Sequence, residues 1–168
     1  MQLLTAGASK DRILAETATV VGLNNVSLSI PSGAIYMIMG LSGSGKSTLA
    51  RCINRLNEPT AGKILLDGRD LVTLNENELR DVRRTRISMV FQHFALLPNK
   101  TVIENTEFGL KLQGVDKETR RARARRNLEL VGLKDFHRHM IYQLSGGMQQ
   151  RVLIAIALAG NPRLIIAD

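Results

Sequence analysis

Tryptophan is absent from these 168 residues, and four phenylalanines and two tyrosines are the only aromatic side chains. A core must therefore be aliphatic, which suits buried parallel strands rich in Val, Ile and Leu. The single cysteine, Cys52, excludes an internal disulfide and points to no oxidising compartment. Sharing its stretch with Leu49, Ile53 and Leu56, it reads as a small packing residue rather than a nucleophile. Long apolar runs are missing as well. The longest, Val152 to Ala159, stops at Gly160-Asn161-Pro162, well short of the roughly 20 residues that span a bilayer. Residues 1–14 are broken by Lys10, Asp11 and Arg12 before a signal-peptide core can form, so no export is implied. Internal repeats and low-complexity segments are also lacking, and His93, His137 and His139 show no metal-ligand spacing.

What is present is enough apolar material, 44%, to build the core of one domain of ordinary size, expected to be α/β. The net charge is +8, with much of the excess between Arg80 and Arg126. Arg120, Arg121, Arg123, Arg125 and Arg126 read as the solvated face of a helix, because no stacking aromatics are interleaved with them.

One stretch organises the rest. Gly40-Leu41-Ser42-Gly43-Ser44-Gly45-Lys46-Ser47-Thr48 fits the phosphate-binding loop pattern. Its glycines let successive N–H groups point at phosphate oxygens, Lys46 reaches the outer phosphates, and the Ser47 hydroxyl can take Mg²⁺. Ile35 to Met39 reads as a buried strand before the loop, and Ser47 to Asn57 as a helix whose N-terminus faces the anion.

Taken in order, residues 1–21 read as a leader, partly helical around Lys10 to Glu16. Strict alternation over Val26 to Ile30 predicts a half-buried strand that turns at Pro31-Ser32-Gly33 into the strand before the loop, forming a hairpin. Lys63 to Leu66 predicts a short strand ending in the turn Asp67-Gly68. Asn75 with Glu78, and Thr101 with Glu104, fit capping boxes. The first opens a short charged helix toward Arg84; the second opens a helix over Val102 to Gln113, stopped by Gly114. A further helix over Lys117 to Val131 stops at Gly132. Between these boxes, Ile87 to Phe91 is an apolar strand ending at Gln92, a polar side chain where open α/β sheets face ligands. Leu144 to Arg151 is a glycine turn leading into an apolar helix up to Ala159, and Leu164 to Asp168 is an apolar strand closing on a carboxylate.

A phosphate loop, a strand ending in Gln92, a helical insert, Leu144-Ser145-Gly146-Gly147-Met148-Gln149-Gln150 and an Asp-terminated strand together resemble the ATPase subunit of an ABC transporter. The resemblance covers about residues 22–168. It implies an α/β P-loop NTPase core with an antiparallel β subdomain and a helical insert, incomplete at the C-terminus. Its parts would be residues 22–98 for the nucleotide-binding core with the β subdomain, 99–150 for the helical subdomain ending in the signature, and 151–168 for the signature helix and Walker B strand.

The resemblance also implies roles. Gly40, Ser42, Gly43, Ser44, Gly45, Lys46, Ser47 and Thr48 would form the Walker A loop for ATP, and Lys46, Gln92 and Asp168 would serve catalysis. Ser47, Gln92 and Asp168 would hold Mg²⁺. Ser145, Gly146 and Gly147 would contact the γ-phosphate of ATP held by a second ATPase subunit in a head-to-tail dimer. Further implied partners are membrane permease subunits, docking between about Phe94 and Gln113, and indirectly a substrate-binding protein. The chain would lie peripherally on the cytoplasmic face of the membrane, with no nucleic acid expected.

Gly40 to Gly45, Arg55 to Thr60, Phe91 to Pro98 and Asn105 to Gly109 resemble importers of the glycine betaine/proline type. Arg151 to Ala159 through Asp168 looks more like oligopeptide/dipeptide importer subunits, which leaves that alternative open. A soluble ABC-type ATPase acting on nucleic acid, suggested by the charge, is a second alternative. A hydrolysis-incompetent fragment is a third. No aromatic lies between Ala15 and Gly22 to stack on adenine, so base recognition would rest on apolar side chains such as Val20 or Val21. The family's catalytic glutamate and switch histidine would follow Asp168, so the 168 residues alone are expected to bind ATP weakly and hydrolyse it poorly.

Overall fold

Ser9 opens the first helix, α1 (Lys10–Thr17), by accepting a hydrogen bond from the Arg12 N–H at 3.3 Å, and Arg12 pairs with Glu16 one turn on at 2.7 Å. A computed structural model describes residues 3, 6–91 and 96–168, and the chain divides into two units, Met1–Glu58 and Pro59–Asp168.

In the first unit α1 is followed by the phosphate loop and α2 (Lys46–Ile53). This second helix is shorter than its sequence suggests. The buried Asn54 side chain accepts the Leu56 N–H at 3.1 Å, and Arg55 takes a left-handed φ of 56°, so local hydrogen bonding ends the helix before Asn57. Arg55 then pairs with Glu58 at 2.8 Å.

The expected hairpin does not form. Val26 to Ile30 and Ile35 to Met39 hold no strand, and the run expected to be buried is open, with Ile35 96% and Met39 82% exposed. Alternation and apolarity say which face of a strand would be covered; they do not supply the neighbour that covers it. Neither segment has a ladder partner among the described residues, and a strand's backbone groups are satisfied only by one.

In the second unit, β1 (Leu65–Leu66) and β2 (Arg69–Asp70) pair antiparallel around Asp67-Gly68. Both turn residues have positive φ, 50° and 80°, as a tight hairpin turn requires. After a 3₁₀ turn at Leu71–Thr73 comes α3 (Glu76–Thr85), and its expected capping box is complete: the Asn75 side chain accepts the Glu78 N–H, and Glu78 accepts the Asn75 N–H.

Next come β3 (Ile87–Val90), α4 (Val102–Leu112) and α5 (Lys117–Leu130). The Thr101–Glu104 box opens α4, and Gly114 and Gly132, with φ of 79° and 70°, close these two helices as expected. A 3₁₀ turn at Ile141–Gln143 leads into α6 (Gly146–Ala159), and β4 (Leu164–Ala167) ends the chain. β4 lies parallel to β3 in the register Ile87↔Leu164 to Val90↔Ala167.

The core of this unit sits where α4, α5 and α6 meet. Val102, Ile103, Ala124, Leu128, Val152 and Ala155 pack there with Leu133, Ile141 and Leu144. Burying each of the larger of these side chains contributes about 1.5–3 kcal/mol. Two polar devices join them. Asn105, 3% exposed, accepts the Leu97 N–H at 2.8 Å and donates toward the carbonyls of Leu97, Lys100 and Thr101, pinning the segment before α4. Glu107 faces Arg120 at 3.5 Å, joining α4 to α5. Outside this core, a two-pronged Arg163–Asp67 pair at 2.9 and 3.0 Å ties the β1–β2 turn to the start of β4; the guanidinium holds the Asp67 carboxyl below the usual carboxylate range.

Candidate nucleotide-binding site

In the first unit the loop before α2 is built for an anion. Gly45 sits at the helix N-cap with φ 95°, in the left-handed region, and an added Cβ would lie 2.7 Å from the Gly22 carbonyl oxygen. Only glycine fits there without moving backbone. Gly43 also has a positive φ, 77°. Lys46 folds its ammonium back over the loop and donates to the carbonyls of Gly40 at 2.9 Å and Leu41 at 2.8 Å. Its third proton is the one available to a phosphate oxygen. Ser42, Gly43, Ser44 and the Ser47 hydroxyl group's residue are exposed, and Thr48 is half-buried with its methyl near Gly22.

The five other α-helices described above each carry an N-cap side chain that accepts a first-turn N–H: Ser9, Asn75, Thr101, Asp116 and Ser145. α2 has no side-chain cap. Its first-turn amides and its dipole are thereby left to a ligand, and the favoured ligand is negative. Sequence reasoning missed Gly22, whose carbonyl forms the wall against Gly45; no pattern within 23 residues of chain announces that approach.

In the second unit Ser145, Gly146 and Gly147 form the exposed start of α6. The Ser145 hydroxyl accepts the Met148 N–H at 3.3 Å. A Cβ on Gly146 or Gly147 would meet nothing within 4 Å. Among the described residues, therefore, nothing demands glycine at either place. Asp168 follows β4, its N–H donating to the Val90 carbonyl at 3.0 Å, which sets it beside the end of β3. A cavity of about 420 Å³ is lined by Asp168 and Gln150 with apolar residues such as Leu153 and Ile165. Gln92 itself lies outside the described residues, as does Phe94. Val20, suggested for the base, is exposed, and Val21 is half-buried.

The ABC transporter family model matches residues 23–168. The chain belongs to the ABC transporter family. Among curated members, this ABC transporter chain is 55% identical over 166 residues to the glycine betaine/carnitine transport ATP-binding protein GbuA of Listeria monocytogenes, covering 99% of this chain and 42% of that protein. It is 52% identical over 168 residues to the glycine betaine transport ATP-binding protein OpuAA of Bacillus subtilis, covering all of this chain and 40% of that one. The chain thus spans about two fifths of the length of these relatives. Among solved structures, it is similar to the dimeric post-hydrolysis state of the ATP-binding cassette MJ0796 bound to ADP and Pi, with a TM-score of 0.80 and 44% identity, over 88% of this chain and 65% of that chain. The fold is therefore that of a P-loop ABC ATPase, as the sequence resemblance implied.

Proposed function

We propose that this chain is the nucleotide-binding part of an ABC importer's ATPase subunit, taking up glycine betaine, proline or a related quaternary-amine osmolyte. The observation that carries the ATPase reading is the uncapped N-terminus of α2 beneath a glycine loop with Lys46 folded over it. Support for the substrate comes from GbuA and OpuAA, whose similarity runs along the whole chain, Arg151 to Asp168 included.

In this reading the phosphate chain of ATP lies on the loop from Gly40 to Thr48, and the Lys46 ammonium, keeping its charge, donates its third N–H as a hydrogen bond to the outer phosphates. By the family resemblance Ser47 and Asp168 would each give Mg²⁺ an oxygen ligand, the kind that a hard cation takes. Among the described residues no three His, Cys, Asp or Glu side chains cluster as a dedicated cage. Bound there, Mg²⁺ would neutralise charge on the β- and γ-phosphates. Gln92 would sense the metal and the γ-phosphate. Ser145, Gly146 and Gly147 would contact the γ-phosphate of ATP on a second subunit, which gives the two open glycines a purpose outside their own chain. Dimer closure would drive permease subunits, which a substrate-binding protein loads, and the subunit would sit peripherally on the cytoplasmic face. No helix among the described residues is long and apolar enough to cross a membrane.

The test is Mg·ATP turnover and solute uptake by the full-length protein reconstituted with its membrane subunits. Glycine betaine should be taken up with ATP hydrolysis, and Lys46→Ala should lower both by about 10²–10³. Uptake of an oligopeptide instead would overturn the substrate, and full turnover in Lys46→Ala would overturn the site.

A further inference from the structure

The start of α6 presents a difficulty of positioning. Gly146 and Gly147 carry no side chain to anchor them, and a Cβ at either would meet no described residue within 4 Å, so the shape of the exposed turn is set by what flanks it. On one side Leu144 is buried in the helical core. On the other, Gln149, half-buried in the first turn of α6, reaches back over the helix start. Its side-chain amide Nε2 donates to the carbonyl of Ile141 at 3.2 Å and to that of Leu144 at 3.2 Å. Both partners are acceptors, so the orientation of the amide is decided by them: the nitrogen must face the turn. The Ile141 carbonyl also takes the Leu144 N–H at 3.1 Å, so two donors converge on it from opposite ends of the turn. The backbone N–H of Gln149 meanwhile donates to the Ser145 carbonyl at 2.9 Å. One residue therefore grips the chain immediately before Ser145 with its side chain and Ser145 itself with its backbone.

We infer that Gln149 is the positioning residue of the Ser145–Gly147 turn, locking the segment from Ile141 to Leu144 against α6 so that the turn's amides are aimed before any nucleotide arrives. This rests on the reading of that turn as phosphate-facing. The residue touches no substrate; it acts through the two carbonyls. A glutamine is suited to this because it supplies two protons from one nitrogen, and its uncharged amide is not repelled by the oxygens it meets. Glutamate at the same place would be nearly the same size, yet it would set a carboxylate against two carbonyl oxygens and open the turn. Protonated, it would recover one of the two hydrogen bonds. The defect should therefore depend on acidity in a way that ordinary misfolding would not.

The experiment uses the full-length protein with its membrane subunits and compares Gln149→Glu, Gln149→Met and Gly147→Asp with the parent. Gln149→Glu should lower kcat by about ten- to hundred-fold, the scale for misplaced catalytic contacts, while nucleotide affinity at the phosphate loop stays unchanged. Its rate relative to the parent should climb as pH falls below neutrality, because carbonyl oxygens raise that carboxyl above its ordinary value of about 4.3. Gln149→Met should show the loss with no such climb. Parent-like turnover in both variants of Gln149 would overturn the inference. So would a loss in Gln149→Glu that is flat with pH and tracks a fall in melting temperature. Parent-like turnover in Gly147→Asp would instead overturn the phosphate-facing reading, and the inference with it, whereas a dead Gly147→Asp beside an intact Gln149→Glu would sink the inference alone.

Discussion

Two glycine-rich turns lead into helices in this chain, and they use glycine for opposite reasons. At the start of α2, Gly45 is required by its own surroundings: a left-handed backbone, and a carbonyl of Gly22 where a Cβ would sit. At the start of α6, Gly146 and Gly147 occupy open space. The first turn is shaped by the chain around it and has no side-chain cap. The second is capped by Ser145, gripped by Gln149, and bare on the side where no described residue lies. Under the proposed function, the bare side of this turn is the one a second subunit's nucleotide would approach. A motif's meaning is therefore read from what its residues fail to touch as much as from what they touch.

That contrast can be broken most severely from beneath. Leu128 is fully buried in the core that supports α6, and Leu128→Ala should cost about 2–5 kcal/mol, read as a shift in denaturation midpoint. Turnover should fall with it while the phosphate loop, lying in the other unit, keeps its affinity for nucleotide. Lys46→Ala attacks the other turn and should leave stability nearly unchanged, with a loss of about 10²–10³ in turnover, the scale for removing a charge-stabilising donor.

The glycines sharpen the comparison. Gly45→Ala should destabilise by at least about 1–2 kcal/mol, because a Cβ is disfavoured in the left-handed region and here also meets backbone. Gly147→Ala should do the reverse, raising stability by up to about 0.5–1 kcal/mol while turnover drops; thermal melts beside ATPase rates distinguish the two. A Gly147→Ala that is less stable than the parent would mean the turn is constrained from within after all.

The smallest effect concerns acid. Glu104 accepts hydrogen bonds from the Thr101 backbone and hydroxyl, which hold its carboxyl below the usual range. Its folded pKa being lower than its unfolded one, the stability it contributes is present above about pH 4.3 and is lost as pH falls through the folded value. Thr101→Ala should weaken this acid dependence in a melt series without removing it, since the residue 101 backbone N–H still donates to Glu104, and should cost roughly 1 kcal/mol at neutral pH, as a lost helix cap does.

Legibility in the sequence followed the range of the interaction. The capping boxes at Asn75 and Thr101, the stops at Gly114 and Gly132, and the Asp67-Gly68 turn were all readable, because each is completed by residues within three or four positions. The phosphate loop was readable for the same reason, since Lys46 reaches carbonyls only five and six residues away. Asn105 was not singled out, although an amide set among Val102, Ile103, Thr106 and Leu110 on one helix face is a signal for a buried polar anchor. Gln149 was visible only as a letter of a motif. Its work became apparent once Ile141 and Leu144 were seen beside it.

By itself the sequence determined the family, the local shape of both glycine turns, and the start and end of nearly every helix, since short-range hydrogen bonds and backbone preferences decide these. Tertiary structure alone decided whether apolar stretches become strands. Ile87 to Val90 and Leu164 to Ala167 found each other across more than seventy residues and formed a ladder, while Ile35 to Met39, no less apolar, has none among the described residues. A strand is completed by a partner that its own residues do not specify, whereas an α-helix satisfies its backbone from within.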